Sequence, residues 1–256
     1  MIKVNMILKN FTLATAAIAL SVTVMPEKAA IALIGQPHRD PVTTNATNLS
    51  NQASNQANQA SDQMPIVLPD TGVQDDGWSC GPNSAARVLS YYGHNVDYDI
   101  VRSATEQKLF LPQRMRNPIT NQWVEVRTGT PPQTLQRVMQ RWEGKYVKRS
   151  PHTSFEQLIK IVQSGKPAIA LVRVGGVKVS YIGTIPYLHW VTVTGADRSR
   201  QLIYYTDTNS QSYSLSYQAF QDRWNLGLDR DVSMAIANVL KNNGVVPRTL
   251  VWVDRN

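Results

Sequence analysis

The sequence predicts an α+β fold, with helices early in the domain and an antiparallel sheet late. Three observations carry this expectation. Between Cys80 and Gly165 apolar residues recur with the period of a helix. After Lys166-Pro167 the chain changes to short β-rich runs. Two of those runs are joined by a Gly-, Asp-, Ser- and Arg-containing stretch that suits a hairpin turn. Of the 256 residues, 42% are hydrophobic and 17% charged, which is ordinary for a globular chain with a polar appendage.

The chain divides into segments 1–32, 33–64 and 65–256. The first carries Lys3 and Lys9, then an apolar run from Phe11 to Met25 broken only by Thr and Ser. That run is short for the ~30 Å hydrocarbon core of a bilayer but suits the apolar region of a secretory signal. Ala30-Ile31-Ala32 offers a small-residue cleavage site. Segment 1–32 therefore reads as a signal peptide and the protein as exported, either periplasmic or secreted. Residues 41–64 read PVTTNATNLSNQASNQANQASDQM. A stretch so poor in large apolar side chains cannot offset its ordering entropy, so 33–64 reads as a disordered linker. Residues 65–256 remain as one domain with a sizeable core, and no run in it approaches membrane-spanning length.

Within the domain, Ala85, Ala86, Val88, Leu89 and Tyr92 lie on one helical period, so an amphipathic helix is expected over Cys80–Tyr92, stopped by Gly93. Thr130-Pro131-Pro132 opens a second helix with Leu135, Val138 and Met139 on its apolar side. Ser154 caps a third, in which Phe155, Leu158, Ile159 and Val162 face inward and Gly165 ends it. Strands are expected at Ala168–Val174, His189–Thr194 and Gln201–Thr206, the last two joined by a turn over Gly195–Arg200. Ser216 caps a further helix reaching Trp224, and Leu250–Val253 reads as a closing strand.

One constellation in this layout carries chemistry. Cys80 is the only cysteine, and it stands at a helix start, where unpaired N–H groups and the helix dipole favour a thiolate. Beside it, Gly81 leaves room for a substrate backbone, and Pro82 suits a first helical turn. The plainer reading of a lone cysteine is a small buried hydrophobe. His189 begins the second strand and Asp207 ends its hairpin partner, so the fold of the hairpin brings them side by side. A carboxylate there can accept the second ring N–H of the imidazole and steady the imidazolium. Asn209 competes with Asp207 for that role. Gln74, six residues before Cys80, can meet the Cys80 N–H around one oxygen and form an oxyanion hole.

Gln74, the Cys80-Gly81-Pro82 string followed by AARVLSYYG, then LHWVTVTG and YTDTN, resemble bacterial papain-like cysteine peptidases related to bacteriocin-processing (double-glycine leader) peptidase domains. The resemblance covers most of residues 65–256 and implies a papain-like α+β fold and peptide-bond cleavage through a thioester, with no cofactor or metal. It implies Cys80 as nucleophile, His189 as general base and acid, Asp207 as orienting carboxylate and Gln74 as oxyanion donor. The chain carries no transporter spans and no ATPase motif such as those that accompany the bacteriocin-processing enzymes.

A single cysteine excludes an internal disulfide framework and a Cys-rich metal site. His38, His94, His152 and His189 show no metal-binding spacing. The formal charge of +8 favours anionic surroundings, without a basic run dense enough for a nucleic-acid arm. The expected partner is a peptide or protein substrate, with an anionic cell-envelope polymer as a further one. Other readings stay open: an amide-acyl transferase, a cell-wall peptide hydrolase, or an inactive peptide-binding module whose cleft is lined by Trp78, Trp123, Trp142, Trp190, Trp224 and Trp252. Arg114–Gly129, polar and basic, is the candidate rim.

Overall fold

The structure, a computed structural model, describes residues 64–106, 113–116, 123–126, 129–179, 183–232 and 234–255. Residues 1–32, read as a signal peptide, and all of the expected linker 33–64 but Met64 lie outside the described residues. Cys80–Tyr91 forms α1, Tyr98–Glu106 α2, Pro132–Glu143 α3 and Phe155–Gln163 α4. Tyr217–Trp224 forms α5 and Met234–Asn242 α6. The strands are β1 Gln113–Arg116, β2 Trp123–Val126, β3 Val147–Ser150, β4 Ala168–Val179, β5 Gly183–Asp197, β6 Leu202–Thr206, β7 Ser212–Ser216 and β8 Leu250–Val253. Strands β3 to β8 form one antiparallel sheet in the order β3-β8-β4-β5-β6-β7.

The sheet is covered on both faces, which explains why its central strands read as nearly continuous apolar runs. Ile169 and Leu171 of β4, and Val251 and Val253 of β8, join one core with α1, Leu135, Val138 and Met139. Ala168, Ala170 and Val172, with Leu250 and Trp252, join a second core with α4 and α5 through Leu158, Ile159, Val162, Phe220 and Trp224. The last strand, β8, lies in the interior of the sheet, between β3 and β4. That placement follows from its composition: all four residues of LVWV are buried.

Helix boundaries follow the local signals. Ser154 accepts the Gln157 N–H at 3.1 Å and Ser216 accepts the Ala219 N–H at 3.2 Å, as N-caps should. Helix α2 had an unread signal of the same kind, since Asp97 Oδ1 accepts the Ile100 N–H at 2.8 Å. The first helix differs from expectation. Every residue from Cys80 to Leu89 is buried, so α1 is a central helix enclosed by the sheet and its neighbours rather than an amphipathic one.

The hairpin turn also sits later than expected. Gly195, Ala196 and Asp197 continue β5, with Asp197 opposite Leu202, and the turn is Arg198–Gln201. Asp197 Oδ1 holds that turn by accepting the Arg200 N–H at 2.7 Å and the Ser199 hydroxyl at 2.8 Å. Gly195 serves a different purpose. The ladder slips between Val193 and Gly195, and the bulged Thr194 carbonyl accepts the Ile66 N–H at 2.8 Å. A side chain at Gly195 would place its Cβ 3.1 Å from the Pro65 Cα, so glycine lets the incoming segment cross β5.

Replacing Ser216 by Ala is expected to lower the unfolding free energy by about 1 kcal/mol. The check is a lower urea midpoint at unchanged slope.

Candidate active site

The segment before α1 is tied down by its own side chains. Asp76 Oδ1 accepts the N–H groups of Trp78 and Ser79 at 2.9 and 2.8 Å and the Ser79 hydroxyl at 2.6 Å. The Tyr98 hydroxyl, from α2, lies 2.5 Å from Ser79 Oγ and donates to Asp75 Oδ1 at 3.0 Å. Arg102 closes the cluster on Asp75 at 2.6 Å. These bonds fix the entry into α1 and place Cys80 as its first residue, 7% exposed. Pro82 sits in the first turn as expected, ahead of the first intrahelical bond from Asn83 N–H to Ser79 O.

Gly81 is explained by packing against the chain itself. An added Cβ would lie 2.9 Å from Thr130 Cβ and 3.2 Å from Trp190 Cδ1, both buried side chains. The space beside Gly81 that sequence reasoning assigned to a substrate backbone is filled by Thr130 and Trp190.

Strand β5 runs past the end of β6. Their ladder stops at the Thr192–Thr206 pair, and Asp207 is the next residue of the chain leaving β6. From there its Oδ1 accepts the His189 Nε2–H at 2.6 Å. Cys80 lies close enough to the same imidazole to act on its charge. His189 and Asp207 therefore meet, as the hairpin leads one to expect. Asn209 does not compete: it is exposed and donates to the Tyr213 hydroxyl at 2.8 Å.

Burial works against charge on the His189 imidazole, but the hydrogen bonds and electrostatic pull of Asp207 and Cys80 outweigh it and raise its pKa to about 10. Burial likewise pushes Asp207 up, yet the His189 bond and charge and the Thr208 N–H at 2.6 Å hold it below the ordinary carboxylate value of 3.8. The signs are opposite and complementary. The raised imidazole contributes stability that is complete below pH 6.5 and is lost as pH rises towards 10. The depressed carboxylate contributes above 3.8 and is lost as pH falls through its folded value. The imidazolium–carboxylate pair thus spans the neutral range.

Gln74 lies on the same strap that crosses β5. Its backbone N–H donates to Thr208 O at 3.0 Å, next to Asp207. Its Nε2 donates one hydrogen to Asp76 O at 2.5 Å, while Oε1 is buried without a hydrogen-bond partner among the described residues.

A family model described as the Peptidase_C39 like family matches residues 38–227. The chain belongs to that family. That membership agrees with the resemblance to bacteriocin-processing peptidase domains read from the sequence. Similar solved structures include a protein from Bacillus anthracis described as a C39-like peptidase, at 16% identity and a TM-score of 0.49, covering 76% of this chain and 100% of that one. Another is the peptidase domain of Streptococcus ComA, a bifunctional ABC transporter of a quorum-sensing pathway, at 14% identity and 0.44, covering 74% and 99%. No curated protein matches the chain.

In this C39-like chain Trp78, Trp142, Trp190, Trp224 and Trp252 serve the interior. Trp190 and Trp224 are fully buried and donate their indole N–H groups to Thr130 O and Thr249 O at 2.9 and 3.0 Å. Trp78 and Trp252 are buried as well, and Trp142 packs on the first core. Of the candidate rim, Gln113–Arg116 and Trp123–Val126 pair as an antiparallel hairpin, and residues 117–122 and 127–128 lie outside the described set. Sequence reasoning passed over Arg87, a charged residue on a helix whose first ten residues are all buried.

In a proton NMR titration the His189 ring signals should show no inflection near pH 6.5 between pH 5 and 8.5. The ordinary inflection of a free imidazole would mean that the pair with Asp207 is not formed.

Proposed function

We propose that the chain is an exported cysteine peptidase that hydrolyses peptide bonds through a Cys80 thioester. The observation that carries this reading is a buried imidazole bonded to Asp207, with Cys80 at a helix start close enough to act on its charge. The Cys80 thiolate attacks the scissile carbonyl carbon, and the carbonyl oxygen takes up the negative charge. Asp76 O accepts one Gln74 Nε2 hydrogen, which fixes the amide rotamer and leaves the second hydrogen for that oxyanion. The Cys80 N–H is the other donor. His189 transfers its proton to the leaving amine as the C–N bond breaks, and the thioester remains. His189 then takes a proton from water, hydroxide adds to the thioester carbonyl, and the acid product leaves as the thiolate reforms.

The formal charge of residues 65–256, with 22 basic and 15 acidic side chains, supports attraction to anionic envelope polymers, where such an exported enzyme would meet its substrate. Secretion itself rests on the character of residues 1–32.

In the mature protein, iodoacetamide should alkylate Cys80 rapidly at pH 6, well below the ~8.5 at which a free thiol ionises. His189→Ala should slow that reaction by about tenfold or more. A rate that climbs only near pH 8.5 and ignores His189 would mean an inert thiol and would remove the peptidase reading. With a cleaved peptide in hand, Gln74→Ala should keep the fold and lower kcat by about 100- to 1000-fold. Product mass in the presence of an added amine separates hydrolysis from acyl transfer.

A further inference from the structure

Arg87 lies two turns after Cys80 on α1 and is 1% exposed. A guanidinium so deeply buried loses its hydration, and its Nε–H has no hydrogen-bond partner among the described residues. What it does reach is informative. Nη1 donates to Asn83 Oδ1 on its own helix. Nη2 faces Gly72 O at 3.1 Å, Ser210 Oγ at 2.9 Å and, at a longer 3.5 Å, Thr208 O. Gly72 precedes Gln74 by two residues, and Thr208 and Ser210 belong to the turn that follows Asp207.

The surrounding bonds join the same segments. Asn83 Nδ2 donates to Gly72 O at 3.0 Å, and Ser210 Oγ donates to Asp70 Oδ1 at 2.8 Å. The Ser210 N–H donates to Asp207 O at 3.1 Å, and the Gln74 N–H to Thr208 O at 3.0 Å. Three stretches of chain thus converge on one side chain: the helix bearing Cys80, the strap bearing Gln74 and the turn bearing Asp207. Arg87 touches none of Cys80, His189 and Asp207 through a hydrogen bond; it acts on Asp207 by electrostatic attraction and through the backbone it holds. An apolar side chain of similar volume would commonly pack as stably at a buried ionic position. The planar fork, however, can grip acceptors on separate segments at once.

We propose that Arg87 is a positioning residue that locks the Asp207 turn and the Gln74 strap to the Cys80 helix, holding the Asp207 carboxylate against His189. This inference rests on the peptidase reading of the site. Its test uses the mature protein with Arg87→Met, Arg87→Lys and Ser210→Ala, each compared with wild type.

Arg87→Met should remain folded by circular dichroism and urea unfolding, yet lose about tenfold or more of the alkylation rate at pH 6. In the same variant His189 should regain an inflection near pH 6.5, and kcat on a cleaved peptide should fall about 100-fold with KM little changed, the scale of a small misplacement at a reacting centre. Arg87→Lys should recover part of this, and Ser210→Ala should show a weaker loss in the same direction. A folded Arg87→Met with the wild-type alkylation profile overturns the proposal while leaving the peptidase reading intact. Should Arg87→Met fail to fold, Ser210→Ala decides: an unchanged pH 6 rate overturns the proposal. A wild-type thiol that is itself unreactive at pH 6 overturns the peptidase reading and this inference together.

Discussion

An imidazole taken fully out of water is destabilised unless both ring nitrogens find partners, and a charged one is destabilised far more. In this protein His189 is 3% exposed, and Asp207, with Cys80, raises its pKa against that burial. The rest of the site follows from that constraint. Strand β5 must outrun β6, so that the carboxylate leaving β6 can reach back to the ring. The helix carrying Cys80 must pack onto β5, so that its first residue comes close to the ring. The sheet must be covered on both faces, or the pair would be hydrated and its mutual attraction weakened.

Two sets of polar contacts hold the pieces in register, on either side of Cys80. Before it, Asp76 takes up the loose N–H groups of the helix entry while Tyr98 and Arg102 brace the loop from α2. After it, Arg87 binds the strap and the Asp207 turn to α1. Between them Gly81 admits Thr130 and Trp190 into close contact with the helix. Close packing at Gly81 makes the position of the sulfur a property of the core. The Oε1 of Gln74 marks the opposite condition, a buried polar atom without a hydrogen-bond partner among the described residues.

Membership of the Peptidase_C39 like family accords with this architecture, and the physical account adds the reason for the order of residues. Gln74 and Cys80 come first because the strap and the helix start are contiguous in sequence. His189 and Asp207 come later because a hairpin is the shortest route that sets a strand residue beside the end of its neighbour. The same hairpin carries the Thr194 bulge that receives the strap at Ile66. The Gln-bearing segment is thereby held to the strand that bears the histidine.

The chain's own text determined whatever depends on neighbours a few residues apart. Ser154 and Ser216 cap their helices where their side chains reach an N–H three residues on, and the His189–Asp207 meeting follows from two strands and one turn. The α+β class was legible for the same reason. Tertiary structure alone decided the features that rest on distant partners. The turn moved beyond Asp197 because Thr194 bulges towards Ile66 and Gly195 yields to Pro65, an encounter across more than a hundred residues. Strand β8 enters the sheet interior because β3 and β4 leave room for it, which no local pattern encodes. Gly81 is glycine on account of Thr130 and Trp190, and Arg87 is tolerated in a buried helix because Gly72 and Ser210 arrive to meet it. Backbone propensity acts over a few residues, whereas packing and buried hydrogen bonds are satisfied only when remote segments close on one another.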